Sequence, residues 1–75
     1  MNNEPMIERV ARAIAQSLGS ADWHVHIAAA RAAVLALREP TIEMLDAATS
    51  GTVDYGHLPD DWRTMIDHVA GERVT

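Results

Sequence analysis

The chain has 75 residues, no cysteine and a formal net charge of −5. Its length allows one domain, and the absence of cysteine excludes disulfides and thiolate metal sites. No apolar run reaches the roughly 20 residues that a membrane span requires, and the first residues lack the basic start of a signal peptide. We therefore expect a single cytoplasmic domain over residues 1–75.

The first helix is predicted at about residues 5–18. Pro5 suits the first turn of a helix, and Gly19 can supply the left-handed residue that ends it. Apolar residues at spacings of three and four predict a buried stripe made of Ile7, Val10, Ala11, Ile14 and Leu18.

The second helix is predicted at about residues 23–38, with Ser20 or Asp22 as its N-cap. Pro40 disfavours helical geometry in the residue before it, so the helix should not continue past residue 38. The same spacing rule predicts a core stripe made of Trp23, Ile27, Ala30, Val34 and Leu37.

A third, short helix is predicted at about residues 41–50. Thr41 is its expected N-cap, and Glu43 lies in the first turn, where an acid is favoured. Ser50 and Gly51 end it. A helix of two to three turns is marginal alone and needs tertiary packing, which we expect from the inward side chains of Met44, Leu45 and Ala48.

The fourth helix is predicted at about residues 60–70, with Asp60 as its N-cap and Gly71 after its end. Residues 72–75 should fray. Helical spacing predicts a core stripe of Trp62, Met65, Ile66 and Val69, and the segment before the helix should attach to the core through Val53, Tyr55 and Leu58. The four segments together predict an all-α fold, a small antiparallel bundle of about four helices.

Charge is divided unevenly along the chain. Residues 1–38 carry four arginines and three acids, for +1, whereas residues 39–75 carry eight acids and two arginines, for −6. Because nucleic-acid affinity comes mainly from neutralising phosphates, the acidic half argues against direct binding of nucleic acid and favours a partner with a basic surface. The candidate partner-binding residues are Glu39, Glu43, Asp46, Asp60, Asp61 and Asp67. An ordinary solvated face is the alternative interpretation.

Side chains that could carry chemistry do not form a recognised pattern. The histidines lack the i, i+4 spacing of a helical metal site, and only a convergence of separate segments could bring together His24, His26, His57 and His68. The adjacent Asp60 and Asp61 suit the positive end of a helix better than acid–base catalysis, which needs carboxyls in different environments facing one cleft. We expect no enzymatic activity, no cofactor and no metal.

The predicted second helix has a further apolar face beside its core stripe. Four short helices cannot cover every side of it, so this face is a candidate surface for a homodimer or for a partner helix, made of Ala29, Ala32, Ala33 and Ala36.

Three stretches carry a family resemblance: residues 7–14, residues 29–45 with their Arg38-Glu39-Pro40-Thr41 turn, and residues 62–67. In these stretches the chain resembles a group of small uncharacterised helical proteins encoded by phages and prophages of proteobacteria. The resemblance implies a binding protein that inhibits a host defence complex by occlusion, as an anti-CRISPR or other anti-defence protein does. A dimeric structural or regulatory phage accessory protein is the alternative.

Overall fold

A computed structural model describes residues 4–50 and 54–74. In these residues the chain forms four α-helices, one short 3-10 helix and no strand, which confirms the predicted all-α fold. The elements are α1 (Met6–Leu18), the 3-10 helix (Trp23–His26), α2 (Ile27–Ala36), α3 (Ile42–Thr49) and α4 (Leu58–Ala70). Helices α1, α2 and α4 pack against one another, which is consistent with the predicted bundle.

The core is small and lies among α1, α2 and α4. Its buried cluster consists of Ile7, Ala11, Ala30, Val34 and Ile66, with half-buried neighbours such as Trp23, Ile27, Trp62 and Val69 around it. The predicted α1 stripe is largely confirmed, but Leu18 is 68% exposed. It is the last residue of α1, where Gly19 adopts φ 68° and turns the chain away as predicted.

The second predicted helix differs from the prediction at both ends. Its first turn is the tighter 3-10 helix, capped as expected by the Asp22 carboxylate, which accepts from the His24 N–H at 3.0 Å. Helix α2 ends at Ala36, because the next two N–H groups bond to carbonyls three residues back and close a tight final turn. Leu37 is therefore 52% exposed and does not join the core stripe.

Helix α3 is confirmed, with Thr41 as its N-cap: the Thr41 hydroxyl oxygen accepts from the Met44 N–H at 3.1 Å. The prediction of its inward face holds for Leu45 alone, since Met44 is 40% exposed and Ala48 is exposed. The physical reason is that α3 takes little part in the packing among the other three helices, so no element covers them. Ser50 ends α3 in the left-handed region, and Gly51 lies outside the described residues.

Helix α4 begins at Leu58, two residues before its predicted start, and the prediction that Asp60 caps it is wrong. His57 occupies the N-cap position without a side-chain cap bond, and Pro59 takes an early helical position that its fixed φ suits. Asp60 and Asp61 consequently lie inside the first turn, where the helix dipole still favours them.

The rest of the fourth segment follows the prediction except at Met65, which is 55% exposed on the side of α4 away from the core. After Gly71, the Glu72 carboxylate accepts from the Ile7 N–H at 3.2 Å, and Val74 packs against the core. These contacts anchor residues 72–74 to α1, where the sequence predicts only a frayed tail. Val53 and Thr75 lie outside the described residues.

Candidate functional site

Two arginines and three of the predicted binding acids form an ion-pair network where the α2–α3 connector meets α4. Arg38 donates two hydrogen bonds to the Asp67 carboxylate, at 2.8 and 3.2 Å. Arg63 donates to both oxygens of Glu39 at 3.0–3.2 Å and to Asp60 at 3.1 Å. Arg38 also contacts Glu39 at 3.1 Å. The five charges sum to −1, so half of the predicted acidic set is largely neutralised by its neighbours.

The network lowers the pKa of two of its acids. Hydrogen bonds from Arg63 hold the pKa of Glu39 below its ordinary value, and hydrogen bonds from Arg38 do the same for the pKa of Asp67. Both carboxylates are exposed, so salt and water screen these pairs. The network therefore fixes the geometry of the connector more than it stabilises the fold.

Trp62 also holds the α2–α3 connector. Its indole N–H donates to the Leu37 carbonyl at 2.6 Å, while its ring packs against the buried cluster. The sequence predicts Trp62 only as a core residue. It gives no sign that Arg38 pairs with Asp67 across 29 positions or that Arg63 pairs with Glu39 across 24 positions. The Asp60–Arg63 pair alone has a readable signal, the i, i+3 spacing on one helix.

The three remaining predicted acids lie outside the network. Glu39 precedes α3, so Glu43 and Asp46 are the predicted acids that lie on that helix, and both are exposed. Asp46 accepts a hydrogen bond from the Tyr55 hydroxyl, which raises the pKa of Tyr55. Asp61 is exposed on the first turn of α4.

Helix α3 also presents apolar side chains to solvent. Ile42 is 66% exposed and Met44 is 40% exposed, next to Glu43 in the chain and within one turn of Asp46. Of its eight residues, only Leu45 is buried. The helix thus combines exposed apolar groups with two acids that no arginine neutralises within the described residues.

The outer side of α2 is apolar throughout. The four predicted dimer-surface alanines are all exposed, and every other exposed position between residues 25 and 37 is apolar as well. These positions are Val25, Ala28, Ala29, Ala32, Ala33, Leu35, Ala36 and Leu37. We refer to them as the outer α2 face. The charge on α2 belongs to Arg31, which is half-buried and donates to the Ala70 carbonyl at 2.6 Å.

The histidines stay apart. His24 contacts the Asp22 carboxylate at 3.0 Å and stacks on Trp23, while His26 has a buried Nε2 without a hydrogen-bond partner. His57 precedes α4, and His68 is exposed in its last turn. Across residues 4–50 and 54–74, no three histidines or acids come together as a metal site would require.

An open cleft of about 470 Å³ lies between α1 and the segment leading to the 3-10 helix. Arg12 lines it, with its guanidinium 4.6 Å from the Trp23 ring centroid and 2.9 Å from the Glu8 carboxylate. The Ser20 hydroxyl in the cleft donates to the Asp22 carbonyl. These pairings commit Arg12 and Ser20 to the fold rather than to a nucleophile–base arrangement.

No helix in the described part of the chain is long and apolar enough to cross a membrane. No protein family, curated protein or solved structure matches the chain.

Proposed function

We propose that the chain is a non-enzymatic protein-interaction module that acts in the bacterial cytoplasm by occluding a basic surface of a host defence complex. The observation that supports a binding role is α3. Its side chains are almost all exposed, although a helix of eight residues needs packing to be stable. A partner that covers α3 would supply that packing.

The composition of α3 fits a protein interface. Ile42, Glu43 and Asp46 share one side of the helix, because Asp46 is four residues after Ile42 and three after Glu43. This side therefore places an exposed apolar side chain beside two acids. Charges of one sign steer a partner of the opposite sign, so a basic surface is the complementary partner.

The ion-pair network gives the other acids a different part in this proposal. Glu39, Asp60 and Asp67 hold the connector through Arg38 and Arg63, and so they position α3 rather than face the partner. Asp61 stays with the binding set, because it is exposed and forms no ion pair in the described residues. The recognition acids are therefore Glu43, Asp46 and Asp61.

The class of target rests on the family resemblance alone. The resemblance implies a protein that covers a functional surface of a host machine, and a chain of 75 residues is large enough to do so. A typical interface occupies about 800 Å² on each partner, roughly a seventh of the 5409 Å² that this chain exposes.

The test is phage plating on proteobacterial strains that carry defined defence systems. We expect the wild-type chain to raise plating of a restricted phage in at least one strain, and the Glu43→Gln, Asp46→Asn double variant to lose most of that effect. The asparagine keeps an oxygen for Tyr55, so α3 stays attached. The matched control, Ala13→Lys with Gln16→Lys on the exposed side of α1, changes the net charge by the same amount and should retain the effect.

Two results would count against the proposal. If no strain responds to the wild-type chain, the target class is wrong. If the α3 variant protects as well as the control, Glu43 and Asp46 do not carry recognition. Ile42→Ser with Met44→Ser then tests whether the exposed apolar side chains of α3 do.

The alternative function is a dimeric phage accessory protein without inhibitory activity. The outer α2 face favours self-association, which both functions allow. A gene position among virion genes, rather than beside a small regulator gene, would favour this alternative.

A further inference from the structure

We infer that two copies of the chain associate through the outer α2 face. In a soluble helix the side opposite the core normally carries charged and polar residues. Here the eight exposed positions from residue 25 to residue 37 are all apolar, and the one charge on α2 turns inward to the Ala70 carbonyl. A helix that is apolar on all sides is normally buried on all sides.

The other helices of the body show that this is specific to α2. Exposed positions on α1 and α4 are mostly polar, among them Arg9, Arg12, Gln16 and Ser17 on α1 and Asp60, Asp61, Thr64, Asp67 and His68 on α4. The three helices pack together around one core, so the outer side of each helix faces solvent in the single chain. Only the α2 side has a composition suited to a covered surface.

The exposed area agrees with one missing interface. A compact monomer of 8.2 kDa exposes about 4,500 Å². This chain exposes 5409 Å², which is about 900 Å² more, and the uncovered α3 contributes to that excess. A standard interface buries about 800 Å² on each partner, so the exposed area is sufficient for one interface.

A second copy fits this surface better than a different protein does. The outer α2 face has no charge with which to select a basic or acidic partner, and an apolar helix face can pair with the same face of a second copy across a two-fold axis. The net charge of −5 does not oppose this arrangement, because residues 25–37 contain no acid. Pairing through α3 or α4 would instead place carboxylates against carboxylates.

The test is the mass in solution, measured by light scattering from about 1 to 500 μM, the range in which weak and moderate dimers dissociate. We expect the wild-type chain to reach twice its monomer mass. Ala29→Glu with Ala33→Glu puts two uncompensated charges from each copy in the interface and should weaken association by about 100-fold or more. The control, Ala13→Glu with Ser17→Glu, has the same spacing and charge change on exposed positions of α1, and it should dimerise like the wild type.

Far-UV circular dichroism of both variants checks that the helices remain. A wild-type chain that is monomeric over the whole range overturns the inference, whatever other protein the chain binds. A dimer that Ala29→Glu and Ala33→Glu leave intact assigns association to another surface and also overturns it. The inference is independent of the proposed role of α3, because Glu43→Gln with Asp46→Asn should leave the dimer mass unchanged.

Discussion

Trp62 offers the sharpest test of how the connector is held. Its ring packs on the buried cluster, and its indole N–H donates to the Leu37 carbonyl at 2.6 Å. Trp62→Phe keeps an aromatic ring in the core but removes the donor. Trp62→Ala removes both, so the pair of variants separates the hydrogen bond from the packing.

The expected magnitudes follow from these contacts. A hydrogen bond of this kind contributes about 0.5–1.5 kcal/mol net, and the exposed setting of Leu37 lets water reach the carbonyl that is left behind. Trp62→Phe should therefore lower the free energy of unfolding by about 1 kcal/mol. Trp62→Ala should cost about 3 kcal/mol, the lower end of the range for buried aromatics, because Trp62 is only half-buried.

Urea unfolding followed by circular dichroism, at one fixed protein concentration, measures both values, and for Trp62→Phe the melting temperature should fall by about 4–8 °C. Trp23→Phe is the control, because the Trp23 indole donates no hydrogen bond within the described residues, and it should cost less than Trp62→Phe. If Trp62→Phe has no measurable effect, the hydrogen bond does not hold the connector as described. If Trp62→Phe costs as much as Trp62→Ala, the packing of the ring adds nothing of its own to the stability.

Three further predictions concern the core, the charges and a cap. Ile7 is the one large side chain that is fully buried in the described residues, so Ile7→Ala should lower the free energy of unfolding by about 2–5 kcal/mol in urea titrations, whereas Met6→Ala beside it should change little. The pKa values of Glu39 and Asp67 are lowered in the folded state, so their contribution is complete above the ordinary values of 4.5 and 3.8 and is lost as the pH falls below them. The urea midpoint should therefore drop on acidification, and Arg38→Gln with Arg63→Gln should flatten that dependence. Thr41→Ala removes the α3 cap and should cost about 1 kcal/mol, with hydrogen exchange at Met44 N–H accelerated while α1 exchanges as before.

Local signals in the sequence predict the helices well. Gly19 and Thr41 mark a helix end and a helix start by their own backbone and side-chain chemistry, and both act as predicted. The sequence misplaces the start of α4, because Asp60 has the side chain of a typical N-cap. Pro59 instead occupies the first turn, so the helix begins at Leu58.

Periodicity predicts which side of a helix is apolar but not whether another element covers it. Leu18, Leu37 and Met65 all fit a helical stripe, yet each is at least half exposed because the neighbouring helices do not reach it. The sequence does not predict the ion-pair network, for a related reason. Arg38 meets Asp67 across 29 positions, a contact that only the packing of α2 against α4 creates.

The bond between Ile7 and Glu72 has a consequence for the order in which the protein takes shape. The first N–H groups of a helix have no partner inside it, and Pro5 at the N-cap position makes no side-chain cap bond. Glu72 supplies a carboxylate to the Ile7 N–H from 65 positions away. During translation α1 leaves the ribosome before α4 and stays without this bond until Glu72 follows, so α1 is completed by one of the last residues described.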